Sequence, residues 1–111
     1  MFLDCKNLKD LDILFFKTQK VKNMNQMFKG CNNLTTLDIM AYFDLYNVTN
    51  MDEMFSNCYN LTNIEIRSST QNLITMKQMF FNCENLKSVK MEYFNPVNVI
   101  DMSHLFSGCN S

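Results

Sequence analysis

The chain has 111 residues, of which 47% are hydrophobic, and its ten basic and eleven acidic side chains give a formal net charge of −1. Proteins that hold phosphate backbones need a basic surface, so nucleic acid is not expected as a partner. The longest purely apolar run, Ile13 to Phe16, is far shorter than the roughly 18 residues of a membrane span, and no targeting signal is visible. The sequence therefore predicts a single domain over residues 1–111 with no membrane insertion.

Phenylalanine and cysteine recur together along the whole chain, at steps of 25 to 27 residues. The pairs are Phe2/Cys5, Phe28/Cys31, Phe55/Cys58, Phe80/Cys83 and Phe106/Cys109. A fixed period in the twenties is typical of a leucine-rich-repeat solenoid, in which each repeat contacts its neighbours. We therefore expect four near-complete repeats and a partial one, either cut from a longer array or able to associate end to end.

Each repeat opens with a segment that has helical periodicity. Met24, Met27, Phe28 and Cys31 lie at positions i, i+3, i+4 and i+7, which share one face of a helix. Capping boxes are predicted where a polar residue precedes this face and Gln26, Glu53 or Gln78 follows three residues later. The residues expected to end these short helices are Gly30, Asn57, Asn82 and Gly108.

A short strand is predicted after each of these segments, because apolar and polar residues then alternate, as in Leu37-Asp38-Ile39. Before the strand stands an Asn that we expect to form a ladder between repeats, at Asn7, Asn33, Asn60 and Asn85. A second apolar column follows at Phe16, Phe43 and Phe94, and Ser68 in that column predicts a local packing defect. The predicted fold class is an α/β leucine-rich-repeat solenoid, with a short parallel β-sheet on one face and short helices on the other, about 26 residues per repeat.

The repeated pattern N-V-x-N-M-x-x-M-F-x-G/N-C-x-N-L-x-x-L-x-I resembles the BspA-like leucine-rich-repeat surface-protein family over essentially the whole chain. The resemblance implies a right-handed solenoid displayed outside the cell and used for adhesion or protein binding. The chain departs from the pattern at Ser68 and carries no visible signal or anchor. A cell-surface or secreted location is therefore implied by the resemblance alone.

Sulfur-containing side chains are the first candidates for chemistry. All five cysteines occupy one column, which favours buried free thiols, although neighbouring repeats that approach closely could pair them. Met-x-x-Met followed by Cys offers soft ligands for Cu(I). Leu105 stands in the second Met column, which favours core packing, so no metal or cofactor is expected.

Catalysis is not expected from this sequence. The only histidine, His104, stands at an outward position, and a site for proton transfer needs more than one titratable group. With only Gly30 and Gly108, no phosphate-binding glycine loop is predicted. Asn33, Asn47 and Asn60 begin N-x-T triplets that could accept glycans in a eukaryotic secretory route, but overlap with the repeat pattern explains them more simply.

A binding face is predicted on the outward side of the strands. Asp12, Asp38 and Glu65 are expected to form an acidic column that Lys90 ends, with Glu65/Lys90 and Arg67/Glu92 as ion pairs. Aromatic residues at the strand exit could pack inward or border this face. The candidate partner-binding residues are Asp12, Asp38, Glu65, Lys90, Tyr42 and Tyr93.

The sequence thus favours a non-enzymatic protein-binding or adhesion segment of a cell-surface protein, with a host or extracellular protein as partner. A cytoplasmic scaffold that uses the same surface is the first alternative. A Cu(I)-binding protein is the second, and it would require exposed Met or Cys side chains.

Overall fold

The computed structural model describes residues 2–8, 17–37 and 43–110, and it shows successive repeats stacked on one another in register. Three short strands are described: β1 (Thr36–Leu37), β2 (Asn63–Ile66) and β3 (Ser88–Met91). They form one parallel sheet in the order β1-β2-β3, in which Asn63 lies beside both Thr36 and Ser88. The predicted parallel sheet is confirmed.

The described residues contain no helix, so the prediction of an α/β leucine-rich-repeat solenoid with short helices is wrong. The segments predicted as helices are runs of turns instead. A left-handed residue interrupts each of them near its centre, where Gln26, Glu53, Gln78 and His104 have φ between +54° and +57°. An α-helix requires a negative φ near −63° at every residue, so these segments cannot be helical.

Backbone hydrogen bonds show what replaces the helix. The N–H groups of Gln26 and Phe28 each donate across to the next repeat, to Asp52 and Met54 carbonyls at 2.9 Å. Between them, the Met27 N–H donates back to the Met24 carbonyl at 3.3 Å, three residues earlier. Alternate N–H groups therefore bind the next repeat and the same turn, whereas a helix would satisfy them all internally.

The predicted caps begin these turns but do not form capping boxes. Asn23 Oδ1 accepts the N–H of Asn25 at 2.9 Å, and Asn50 Oδ1 accepts the N–H of Asp52 at 2.8 Å. These are Asx turns, in which the side chain imitates a backbone turn. The Gln26 side chain donates to Glu53 in the next repeat, so that column connects repeats.

The phenylalanine column forms a continuous ladder of rings through the core. Successive rings are stacked with centroids 5.4 to 5.6 Å apart and interplanar angles of 2° to 10°. Phe28, Phe55 and Phe80 are completely buried, whereas Phe106 in the last repeat is 50% exposed. The apolar columns of Met, Cys and Leu surround the ladder, as the predicted inward face requires.

Ser68, where the sequence predicts a local packing defect, forms a hydrogen bond with the preceding repeat. Its hydroxyl accepts the N–H of Leu45 at 2.8 Å, so it supplies a hydrogen bond to a backbone group at the edge of the core. Two buried threonines in neighbouring repeats do the same: Thr18 accepts the Asp44 N–H at 2.8 Å, and Thr70 accepts the Asn95 N–H at 2.9 Å. Buried hydroxyls are tolerated where they are satisfied in this way.

Asparagine side chains connect the repeats in two ladders. In the predicted ladder, Asn60 and Asn85 donate to the carbonyls of Asn32 and Tyr59 at 2.7 and 2.8 Å. A second ladder, which the sequence analysis missed, comes after the Phe43 column along the chain. There each side-chain amide donates to a carbonyl of the preceding repeat at 2.7 to 2.8 Å, from Asn47, Asn72 and Asn98.

We expect the phenylalanine ladder to dominate stability. Phe55→Ala should lower the free energy of unfolding by about 3 to 5 kcal/mol, because it leaves a cavity between two stacked rings. Met54→Leu, a volume-conserving change beside it, should cost below about 1.5 kcal/mol. Urea denaturation followed by circular dichroism measures the free energy of unfolding of both variants. Equal losses of stability would show that the phenylalanine ladder does not dominate stability.

The residues expected to end the helices have a left-handed backbone, as predicted. Steric crowding explains why two of them are glycine. Gly30 and Gly108 have φ of +75° and +81°, and Asn57 and Asn82 in the same column have +62° and +57°. A Cβ on Gly30 would lie 2.0 Å from Asp4 Oδ1, and one on Gly108 would lie 2.2 Å from Asn82 Oδ1. The side chain of the preceding repeat therefore occupies the space above each glycine.

Gly30→Ala should destabilise the protein through both the left-handed backbone, at about 1 to 2 kcal/mol, and the clash with Asp4. Asp4→Gly combined with Gly30→Ala removes the clash and keeps the backbone strain. The double variant should therefore recover part of the loss in a denaturation experiment. Recovery of none of it would mean that the Asp4 contact contributes nothing.

Candidate protein-binding surface

The predicted binding residues fall partly within the described structure. Asp12, Asp38 and Tyr42 lie outside the described residues. Glu65, Lys90 and Tyr93 lie at the sheet and at its exit.

The strands β2 and β3 alternate between core and surface as predicted. Ile64 and Ile66 are 2% and 1% exposed and point into the core, so Glu65 between them points outward. Cβ atoms of a strand alternate between its two faces, so substitutions on the outward face do not alter the apolar columns.

Small polar residues form the first row of this outward face. Ser88 Oγ donates to Asn63 Oδ1 at 2.8 Å, and Asn63 Nδ2 donates to Thr62 Oγ1 at 3.1 Å. Thr62 Oγ1 in turn donates to the Thr35 carbonyl of the preceding repeat at 3.0 Å. These contacts fix the orientation of the row across three repeats.

Charged residues form the second row, and their pairing differs in part from the prediction. Glu65 lies beside Lys90 in the sheet, but its Oε1 pairs with Arg67 Nε at 2.8 Å. The Arg67 Nε also lies 3.9 Å from Glu92 Oε2, so the predicted Arg67/Glu92 pair is present. Exposed pairs of this kind contribute about 0 to 1 kcal/mol to stability, so their charges remain available to a partner.

Two groups next to this row are free to contact another molecule. Lys90 is exposed and forms no ion pair with any described residue. Tyr93, two residues after β3, is 68% exposed with a φ of +63°, so its ring does not pack into the core. Exposed tyrosine beside charged residues is a common composition of protein-binding surfaces.

A separate ion pair lies on the turn side of the molecule and was missed by the sequence analysis. Glu53 forms an ion pair with Lys29 of the preceding repeat, and its Oε1 accepts from Gln26 Nε2 at 3.2 Å. The Lys29 ammonium and the Gln26 amide hold the pKa of Glu53 below its usual range, against an opposing effect of burial. An alignment of the repeats would have revealed this contact, because Gln26 and Glu53 are equivalent positions in adjacent repeats and Lys29 lies in the same turn as Gln26.

The cysteines form a ladder of thiols inside the core. Each sulfur from Cys31 onward donates to the carbonyl of the phenylalanine one repeat earlier, as from Cys58 to Phe28 and from Cys83 to Phe55, both at 3.1 Å. All five are free thiols, and Cys31, Cys58 and Cys83 are buried. Burial raises the pKa of Cys31 to about 11 and that of Cys83 to about 12, and it also raises the pKa of Cys58.

The methionine side chains pack in the core. The methionines of the three central repeats, Met24, Met27, Met51, Met54, Met76 and Met79, are at most 7% exposed. Among the described residues no cluster of three or more His, Cys, Asp or Glu could hold a metal ion, and His104 lies exposed on the last turn. No helix of the described chain is long and apolar enough to span a membrane.

The raised thiol pKa values predict a loss of stability at alkaline pH. The unfolded chain releases its thiol protons near the ordinary pKa, while the folded chain keeps them until about pH 11 to 12 for Cys31 and Cys83. The free energy of unfolding should therefore fall as the pH rises above about 9. Cys83→Ala should make this fall shallower, by at most about 1.4 kcal/mol per pH unit.

Urea titrations of both chains between pH 7 and pH 10.5 measure this difference. The comparison cancels the titration of lysine and tyrosine, which the two chains share. Parallel pH profiles would contradict a buried, neutral Cys83.

A family model described as Mycoplasma protein of unknown function, DUF285, matches residues 1–111, so the chain belongs to this family. This match is consistent with the resemblance seen in the repeats. No match was found among curated proteins, and none among solved structures.

Proposed function

We propose that the chain is a non-enzymatic, protein-binding segment of a BspA-like cell-surface protein, and that the outward face of the sheet contacts the partner. The observation that carries this proposal is the separation of roles across β2 and β3. Ile64 and Ile66 belong to the core, while Glu65, Lys90 and Tyr93 project from it. The residues of this face can therefore change without altering the apolar columns of the core.

The composition of the face favours a protein partner. It presents both signs of charge, with Glu65 and Glu92 around Arg67 and a separate Lys90, next to an exposed Tyr93 ring. A mixed pattern of this kind guides a complementary charged protein and selects its orientation. A polyanion would instead require a field of one sign.

Binding is better supported than catalysis or Cu(I) chemistry. The thiols of Cys31, Cys58 and Cys83 are buried and donate to backbone carbonyls, which leaves them poor nucleophiles and poor ligands. The methionines of the central repeats are buried as well. A cytoplasmic scaffold would use the same face, and we favour a surface location because the repeat pattern resembles that of BspA-like surface proteins.

Glu65→Lys combined with Tyr93→Asn should weaken partner binding and leave stability almost unchanged. Both side chains project from the sheet. Loss of the Glu65/Arg67 pair should cost about 0 to 1 kcal/mol, and the exposed substitution at Tyr93 should change the free energy of unfolding by less than about 0.5 kcal/mol. Asn suits the left-handed backbone at position 93. The charge part of the loss should shrink as the ionic strength rises from 0.1 M to 1 M, where the Debye length falls to about 3 Å.

The test is affinity capture from host-cell surface extracts, followed by titration calorimetry with the purified partner. Lys77→Glu serves as the matched control, because it changes an exposed charge by the same amount on the turn side. Equal affinity of the wild-type chain and the double variant at low salt would disprove this face as the contact surface. Weaker binding by the control alone would place the contact on the turn side.

A further inference from the structure

An open groove runs along one flank of the stack, beside the second asparagine ladder. Its volume of about 650 Å³ lies within the range of ligand-binding clefts. The groove shares no residue with the outward face of the sheet. One wall is the ladder itself, and the other is a column two positions later in the repeat, formed by Lys22, Thr49, Ile74 and Ile100.

The groove is a property of the repeat. Ile74 has a neighbouring repeat on both sides, since its N–H donates to the Thr49 carbonyl at 2.9 Å and its carbonyl accepts the Ile100 N–H at 2.8 Å. Its side chain is nevertheless 43% exposed. Further repeats stacked in the same way would lengthen the groove without covering it.

The asparagine wall presents amide groups in a fixed orientation. In Asn47, Asn72 and Asn98, Nδ2 donates one hydrogen to a carbonyl of the preceding repeat at 2.7 to 2.8 Å. The second hydrogen of Nδ2 and the Oδ1 oxygen have no partner among the described residues. An amide held in this way offers a donor and an acceptor side by side, which suits a hydroxyl group, because a hydroxyl both donates and accepts.

The opposite wall is apolar over half of its length and almost uncharged. Ile74 and Ile100 are 43% and 84% exposed. Thr49 Oγ1 donates to the Lys22 carbonyl at 3.1 Å, so its lone pairs can accept from a ligand. Lys22 is the single charged side chain among the described residues of the groove, whereas a polyanion would need a row of cations. Charge complementarity therefore favours an uncharged ligand.

A peptide strand fits this groove poorly. Strand addition requires unpaired backbone groups at the edge of a sheet. Here the N–H groups of Thr49, Ile74 and Ile100 already donate to the preceding repeat at 2.8 to 2.9 Å. The groups available to a ligand are side-chain amides that recur once per repeat, at the step of about 4.8 Å between neighbouring strands.

We propose that the groove binds a linear, uncharged glycan of β-1,4-linked hexose units, which lies along the stack. One sugar unit of such a chain is about as long as one step of the ladder, so successive hydroxyls along its edge meet Asn47, Asn72 and Asn98. The C–H face of the sugars rests on Ile74 and Ile100, where burial of carbon surface favours binding. This activity is additional to the protein binding proposed for the outward face.

The probe is cellohexaose, titrated into the 111-residue chain by isothermal calorimetry. We expect saturable binding. Cellobiose, which reaches two of the three amides, should bind about fivefold more weakly, as expected for one lost hydrogen bond. The neutral hexapeptide Gly-Ser-Gly-Ser-Gly-Ser and a heparin hexasaccharide should both bind more weakly than cellohexaose. No binding of cellohexaose, or equal or tighter binding of the peptide or of heparin, would overturn the proposal.

A matched pair of variants then locates the site. Asn98→Ala and Asn85→Ala each remove one exposed hydrogen bond of 2.8 Å between repeats, to the carbonyls of Gln71 and Tyr59. Of the two asparagines, Asn98 lines the groove and Asn85 does not. Asn98→Ala should therefore weaken cellohexaose binding about fivefold, and Asn85→Ala should leave it unchanged.

A second pair tests the apolar wall. Ile74 and Tyr59 have comparable exposure, at 43% and 36%, and only Ile74 of these two lines the groove. Ile74→Asp should weaken cellohexaose binding about tenfold, because a carboxylate replaces the apolar surface beneath the sugars. Tyr59→Asp introduces the same charge elsewhere and should leave the affinity unchanged.

Circular dichroism of each variant checks that it is folded. Equal effects of the two asparagine variants, or unchanged binding by a folded Ile74→Asp chain, would overturn the groove as the site. Glu65→Lys combined with Tyr93→Asn should leave cellohexaose affinity unchanged, and a loss there would overturn the groove as well. Failure of the groove and failure of the outward face are therefore separate results.

Discussion

Register between repeats is the constraint on which the structure depends. Hydrogen bonds between neighbouring repeats place each residue directly against its equivalent, as where Asn23, Asn50, Thr75 and Asp101 form successive parallel bridges. Every side chain must therefore tolerate a similar side chain next to it. Phenylalanine does so by stacking with centroids 5.5 Å apart, and cysteine by donating to a carbonyl of the preceding repeat. Asparagine does so by donating its side-chain amide to a carbonyl of the preceding repeat.

The same constraint explains where glycine is needed. Asp4 and Asn82 place a side-chain oxygen over the next repeat, and the residue beneath each is Gly30 or Gly108. Where the column instead contains Asn57 followed by Asn82, the two side chains lie within hydrogen-bond distance, at 3.2 Å between Asn82 Nδ2 and Asn57 Oδ1. Glycine and asparagine both tolerate the positive φ that this column requires. Glycine also leaves space for the side chain of the preceding repeat.

Columns were predictable from the sequence, and the local backbone was not. The period of the Phe/Cys pairs correctly predicted which residues are buried and that the strands are parallel, since a stacked repeat allows no other arrangement of Ile64 and Val89. The helices were predicted because Met24, Met27, Phe28 and Cys31 have helical spacing. A turn with a left-handed residue at Gln26 gives the same inward face, so periodicity alone cannot distinguish the two.

The candidate site was harder to predict for a related reason. Alternation in β2 was enough to place Glu65 outward, but the choice of Arg67 over Lys90 as its partner depends on side-chain geometry that no pattern contains. The second Asn ladder at Asn47, Asn72 and Asn98 was hidden because its first member also begins an N-x-T triplet.

In a stacked repeat the positions that agree between repeats hold the fold together, and the positions that differ remain available for recognition. Lys90 stands beside Glu65 of the preceding strand, so the sign of the charge at that outward position changes from one repeat to the next. A change of this kind alters the charge of the outward face without altering the apolar columns beneath it.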